Sequence, residues 1–482
     1  MKTFFNGTAI SLLIFLNLCK FSLQLDCIQI QDNEQLAGRV LNIPNNSTDP
    51  VSIPANFNCT YTIKPPKLVY AQITVTSILL GVNDVILVSG GQQKTTKLNR
   101  NSESTNVFYV FPQTSTSVNI QNFDASSKFK MTVVYTSLPP PQQRALQKGQ
   151  NMNYLPLTAI QKKPLSLSGD GPISLTIARS GYFSDVFDNY FVIDGDLDNP
   201  KSIKRFEDVI LSNFNTSSNI ITLVGLDDTV SHSSFILNPT SQLNGFSKFA
   251  GITVDALAAN INVDASNGRK VGVMIVSKEI QQLVLNKMEL GDTENCKAVA
   301  VTGPPTSDSK TLIDFKTDQY SLPQLFPYPY FSVIVENCMA QFNLTNSLPS
   351  NYYSLEDDRS GFIFSPMYFN DEATNGYMNI TFAYKGDQKR QFVVDVDRVM
   401  LGTANSQLDI NIYDSNWEKT LSAVITGNQE GTRSRAFGSY LNVQMYGNTA
   451  ARLHWSLTSS SQAFLNLLSI ILVAAIMNMI SD

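Results

Sequence analysis

The residues with most chemistry to offer are few: five cysteines and two histidines in 482 residues. Cys19 lies in an apolar run near the N-terminus, which leaves Cys27, Cys59, Cys296 and Cys338. Thiols in a chain taking the oxidising secretory route form disulfides. Four of them allow three pairings. Sequential pairing, Cys27–Cys59 and Cys296–Cys338, closes the shortest loops and is the expected one. Zinc is not expected, since no CxxC is present and His232 and His454 are the whole histidine supply. The same scarcity limits nucleophilic catalysis, because a Ser-His-Asp triad needs a positioned imidazole. His454 falls in the alternating run RLHWSL and should point outward from a strand. His232 falls in the polar loop DDTVSHSS beside Asp227 and Asp228. No GxSxG or HExxH occurs. The carboxylates of Glu356, Asp357 and Asp358 are of the type a glycosidase uses, but a charge run reads first as a solvated surface. The expectation is a protein without catalytic residues, cofactor or metal.

Asparagine chemistry agrees with a secretory route. N-x-S/T acceptor sites stand at Asn45, Asn46, Asn58, Asn215, Asn343 and Asn379. Asn45 and Asn46 overlap, so one of the two is expected to be used, and Asn58 abuts Cys59. Residues 1–24 read as a signal peptide: Lys2 is followed by the apolar stretch Ala9 to Leu18. At the other end, 459–482 run from Ser459-Ser460-Ser461 into an apolar tail, Ala463 to Ile480, and stop at Asp482. Small residues, an apolar tail and no following Lys or Arg form the pattern of a GPI-attachment signal, with Ser459 as the attachment residue. The polar spacer is shorter than usual, and a single membrane span is the alternative. A net charge of −5 gives no basic footprint for nucleic acid.

The elements that must position these residues are strands. In KFKMTVVY, Phe129, Met131, Val133 and Tyr135 alternate with the other residues, and YAQITVTS alternates through Ala71, Ile73 and Val75. The one helix candidate is Lys278 to Leu290 (KEIQQLVLNKMEL). A closing hairpin recurs three times: Val118-Asn119-Ile120 before Phe129 to Tyr135, Ala259-Asn260-Ile261 before Val271 to Val276, and Leu441-Asn442-Val443 before Leu453 to Leu457. Upstream strands recur from Cys59, Asn189 and Tyr377. The repeats predict modules at 26–137, 150–280 and 359–458. Residues 138–149, with Pro139, Pro140 and Pro141, read as a stiff linker. The stretch 281–358 fits no copy. It reads as a disulfide-containing insert or the start of the third module, and carries the aromatic run FPYPYF (Phe326 to Phe331).

The first module resembles a CUB domain, and most closely the CUB-like domain family of nematodes. The resemblance rests on Cys27, NFNCTYTIKPP around Cys59, NDVILVSGG at Asn83 to Gly91, and the closing SVNIQNF…SSKFKMTVVY. It covers about a quarter of the chain; the later modules are similar more faintly and lack the Cys59 equivalent. It implies an all-β fold of tandem CUB-like antiparallel β-sandwich (jelly-roll) modules. It further implies secreted or lipid-anchored proteins, several connected with pathogen responses and membrane rafts. Many CUB domains bind calcium through a Glu and two Asp. Asp84 matches one of these, the other two have no match in the first module, and calcium is not predicted. DNYFVIDG (Asp188 to Gly195) also looks like the calcium strand, but the repeat places it at the earlier, Cys59-like strand.

The expected function is extracellular recognition: an innate-immune or stress-response binding protein on the plasma membrane of an epithelium, held by a GPI anchor, with a protein or glycan ligand. A structural surface-coat glycoprotein is the alternative, and an extracellular hydrolase a further one. Tyr328 and Tyr330 in FPYPYF are the candidate contact residues, with module packing the competing role.

Overall fold

The computed structural model describes residues 25–458 apart from 91–92, 124–125, 148, 150–152, 182–186, 230, 256–257, 278–281, 292–293, 319–320, 358, 371–376 and 387–388. The signal peptide and the tail with Ser459 lie outside the described residues. Strands succeed one another along the whole described chain, and they form four sandwiches.

The first sandwich holds β1 (Val40–Ile43), β2 (Val51–Ser52), β3 (Phe57–Ile63), β4 (Val69–Leu79), β5 (Val85–Gly90), β6 (Gln93–Leu98), β7 (Asn101–Val110), β8 (Thr116–Asn122) and β9 (Lys128–Ser137). One sheet runs β1-β9-β4-β7 and the facing sheet β3-β8-β5-β6. Period-two alternation makes them face inward: Ala71, Ile73 and Val75 of β4 meet Phe129, Met131, Val133 and Tyr135 of β9 in one buried cluster. At about 25 cal/mol per Å² of apolar surface buried, such a core is the main favourable term of folding.

The second sandwich follows with β10 (Gln142–Ala145), β11 (Asn153–Pro156), β12 (Leu165–Ser168), β13 (Ile173–Arg179), β14 (Tyr190–Asp194), β15 (Ser202–Arg205), β16 (Phe214–Asn215), β17 (Ile220–Gly225) and β18 (Ser234–Pro239). The third holds β19 (Lys248–Val254), β20 (Ala259–Asp264), β21 (Lys270–Ser277), β22 (Leu283–Leu290), β23 (Lys297–Thr302), β24 (Thr311–Asp314), β25 (Gln324–Phe326), β26 (Tyr330–Glu336) and β27 (Met339–Thr345). The fourth holds β28 (Ser354–Leu355), β29 (Ser360–Phe364), β30 (Met378–Tyr384), β31 (Arg390–Leu401), β32 (Gln407–Tyr413), β33 (Lys419–Ile425), β34 (Gln429–Gly438), β35 (Tyr440–Tyr446) and β36 (Thr449–Thr458).

Strand order repeats. The orders β12-β17-β14-β15 facing β11-β18-β13-β16, and β30-β35-β32-β33 facing β29-β36-β31-β34, reproduce the first sandwich strand for strand. The strands nevertheless do not group as the repeat reading expects. The stretch 259–276 does not close on Tyr190–Asp194. It shares a buried cluster with 281–345, including Leu283, Phe326, Phe342 and Leu344. The segment expected as an insert is therefore half of a sandwich. The three expected hairpins are also corners rather than hairpins: β8 and β9, β20 and β21, and β35 and β36 each place their two strands in facing sheets. The helix candidate is strand β22 over Leu283–Leu290, residues 278–281 lying outside the described residues. Leu283, Val284 and Leu285 are all buried there, and pairing to β25 and β27 overrides a weak helical pattern. Nor is 138–149 a free spacer, since Gln142–Ala145 pairs in parallel with Leu165–Ser168 and Leu138 and Leu146 are buried.

The four bodies are joined by packing. Tyr70, Tyr109 and Phe111 pack on Phe191, Ile193 and Val224, with Phe111 and Phe191 ring centroids 4.8 Å apart. Between the second and third sandwiches a sheet is continuous. β19 lies parallel to β21 along its length and parallel to β13 at Ala178–Gly251 and Arg179–Ile252. Gly251 permits that approach, because a Cβ there would meet the Ala178 Cβ at 2.9 Å and its Cα at 3.0 Å. Gly251→Val should therefore lower stability by ~1–3 kcal/mol through overpacking, read as a fall in Tm. An unchanged Tm would contradict the join.

Candidate ligand-binding face

The cysteines pair as Cys27–Cys59 and Cys296–Cys338. Cys59 is buried in β3, and Cys338 just before β27, so each bridge ends in a core. Sequon asparagines Asn45 and Asn46 are exposed in the turn after β1, Asn215 is exposed in β16, and Asn343 is half-buried in β27. Asn58 and Asn379 occupy matching places. Asn119 Nδ2 donates to the Thr60 hydroxyl at 2.8 Å and to Asn58 Oδ1 at 3.3 Å. Asn442 Nδ2 donates to the Thr381 hydroxyl at 2.9 Å and to Asn379 Oδ1 at 2.7 Å. Two of the three Asn triplets noted in the sequence, those of Asn119 and Asn442, are thus rungs across β3–β8 and β30–β35.

Asp84 is 2% exposed and organises loops. Its carboxylate accepts from the Gly81 N–H, the Phe123 N–H and the Ser127 hydroxyl. DNYFVIDG is not at the Cys59-like position. Its strand, β14, stands where β5 stands in the first sandwich, so strand order corrects the repeat alignment. Among the described residues no group of three or more His, Cys, Asp or Glu is placed to hold a metal ion.

The candidate acid–base residues are scattered. His232 Nδ1 lies 2.6 Å from Asp255, not against Asp227 or Asp228. Asp227 accepts from Asn189, and Asp228 pairs with Lys162. His454 is on β36, packed against Phe362 and 4.0 Å from Asp395. Arg390 grips Asp357 with two N–H···O bonds of 2.6 and 2.7 Å, which holds that carboxyl below its ordinary range. Glu356 is exposed, and Asp358 lies outside the described residues.

FPYPYF is a packing element. Phe326 and Phe331 are fully buried and stacked with centroids 4.1 Å apart, and Phe326 also meets Phe364 of the fourth sandwich. Tyr328 lies flat on Phe369, and its hydroxyl accepts from Asn370 Nδ2. The stretch joins the third body to the fourth, and its rings are not an exposed contact surface.

An exposed aromatic face stands elsewhere, at the end of the fourth sandwich. Trp417, in the turn between β32 and β33, is 56% exposed. One face of its indole stacks on Tyr440, with centroids 4.1 Å apart and planes 16° from parallel. Tyr413 leans on it from 5.6 Å. Asp414 fixes the turn: one carboxylate oxygen accepts from the Asn416 N–H at 2.9 Å and the Glu418 N–H at 3.0 Å, and the Asp414 N–H donates to the Glu418 carbonyl. Gly438 completes the support, since a Cβ there would strike the Tyr413 carbonyl oxygen at 2.6 Å. It lets the corner into β35 run close enough to bring Tyr440 under Trp417. The turn holds Trp417 at φ 62°, a left-handed conformation natural to Gly or Asn and unfavourable for a bulky residue by about 1–2 kcal/mol. Strain of this kind persists where surroundings over-determine it, and it clusters at sites of function. Only two tryptophans occur in the chain, and this one stands in the polar turn DSNWEK, which was the signal available in the sequence.

Compared with known proteins, residues 23–139 match the CUB-like domain family. The first sandwich is thus a CUB-like domain, about a quarter of the chain. No curated protein is similar to the chain in sequence. Among solved structures, the CUB1-EGF-CUB2 domains of rat MASP-1 align at 12% identity and a TM-score of 0.16, covering 42% of this chain and 99% of that one. A triple jelly-roll turret protein of an archaeal virus aligns at 9% identity and 0.17, covering 61% and 82%. The full extracellular region of zebrafish Gpr126/Adgrg6 aligns at 9% and 0.19, covering 74% and 62%. Likenesses this low carry no further inference.

Two outcomes are expected at the Trp417 turn. The N–H donors of Glu418 and Asn416, with Lys389 3.7 Å away, hold the Asp414 carboxyl below its ordinary 3.8. A depressed carboxyl contributes its stabilisation above its ordinary value and loses it as pH falls through the lowered one. Trp417 emission should therefore be constant down to pH 3.8 and shift only below it; a shift between neutrality and that value would contradict the arrangement. Trp417→Gly should leave stability within ~1 kcal/mol, because lost stacking is offset by relief of the left-handed strain. A larger loss by denaturant titration would make Trp417 a structural residue.

Proposed function

We propose that this chain is an extracellular binding protein that presents the Trp417 face of its fourth sandwich to a ligand and has no catalytic role. The observation that carries the reading is an indole more than half exposed, backed by Tyr440 and held in a strained turn. A rigid aromatic with one open face loses little entropy on binding, and tryptophan leads the residues that dominate binding energy. Two disulfides and a CUB-like first domain support an oxidising, extracellular setting. Attachment to the outer membrane face through a GPI anchor at Ser459, residence in rafts and a part in innate defence at an epithelial surface extend this proposal. They rest on the tail sequence and the family resemblance. Asp357, the best placed of the candidate acids, is engaged by Arg390, which favours binding over hydrolysis.

A surface-coat role is the second reading, favoured by the sheet that runs unbroken from the second sandwich to the third. The two readings part on Trp417. The full chain and its Trp417→Ala variant, displayed on cells, are screened against extracellular proteins and glycans. At least one ligand should lose about tenfold in affinity, about 1.4 kcal/mol. Identical binding by both would favour the coat reading. Phosphatidylinositol-specific phospholipase should release the chain from intact cells. Retention after complete cleavage of a control anchored protein would contradict the tether.

A further inference from the structure

We infer that the Trp417 face takes a neutral saccharide, with one pyranose ring laid flat on the open side of the indole. This rests on the proposed binding role and names its ligand class. The other side of the ring is taken by Tyr440, so a single flat apolar plateau faces outward. Its rim is polar: Asn416, Glu418, Lys419 and Lys389 are all exposed. A protein interface needs an apolar core that its rim seals from water, and none of these four neighbours can extend the apolar area. A sugar ring fits the pattern. One face of a pyranose is a patch of electron-poor C–H groups suited to the negative face of an indole, and its edge is a ring of hydroxyls suited to amide, carboxylate and ammonium partners. The rim has both signs of charge. Lys389 sits 3.7 Å from Asp414, and the exposed Glu418 and Lys419 carry opposite signs, so the rim has no net charge to select an ionic ligand. The turn is already pinned by Asp414, so no loop has to be ordered when the ring docks.

The two tryptophans make the test direct. Trp455 is 1% exposed and out of reach of iodide, so iodide-quenchable emission reports Trp417. Purified full chain is titrated with oligomers of N-acetylglucosamine, glucose, mannose and galactose, and separately with dextran sulfate. At least one neutral oligomer should shift Trp417 emission and cut iodide quenching at least about twofold, with an affinity that does not change between low and high salt. By isothermal titration calorimetry, which does not depend on the indole as reporter, Trp417→Ala should abolish binding of that oligomer and Trp417→Tyr should keep part of its affinity. No response to any neutral oligomer, or a salt-sensitive response to dextran sulfate alone, overturns the saccharide. If the Trp417→Ala variant loses a protein ligand in the cell-surface screen while no oligomer responds here, the binding role stands and the ligand class falls.

Discussion

The rest of the structure depends on strand β19. It is parallel to β13 on one side and to β21 on the other, and so makes one sheet out of strands that belong to two sandwiches. Parallel strands need crossover connections rather than hairpins, and β19, paired on both sides, is an interior strand. Gly251 brings the backbones together, and Thr253 donates its hydroxyl to the Ala178 carbonyl at 2.8 Å. With the second and third bodies fused here, the first is attached through Phe111 and Phe191, and the fourth through Phe326 and Phe364. Four sandwiches thereby become one scaffold. A turn at its end can hold a strained tryptophan because everything beneath that turn is fixed.

Strand identity was largely legible in the sequence. Alternation picked out the inward faces of β4 and β9, and Leu441, Val443, Leu453 and Trp455 form part of the core of the fourth sandwich. Partnership was not legible. Period two tells which side of a strand is apolar, not which sheet it joins. That is why β8 and β9 read as a hairpin although they lie in facing sheets. The same ambiguity assigned 259–276 to the wrong neighbours and left 281–358 without a fold. The helix misreading of β22 has the same source, since three consecutive buried residues carry no period of their own.

The candidate site was less legible still. FPYPYF drew attention because aromatic residues cluster there, yet clustering is also what a joint between two cores requires. The Trp417 turn has little local signal beyond the residue itself, because its support comes from Gly438 and Tyr440 across a corner. Asn119 and Asn442 were visible as a repeat, and their role as rungs beside Thr60 and Thr381 appears only with the strand register.

The Trp417 indole is held in place by its turn on a single fused scaffold. Hydrogen exchange on the unliganded full chain tests it most directly. The amides of Gly251, Ile252 and Thr253 in β19 should exchange only with global unfolding, and those of Asn416, Trp417 and Glu418 should be protected without any ligand. Fast, independent exchange of β19, or an unprotected Trp417 turn, would contradict the account.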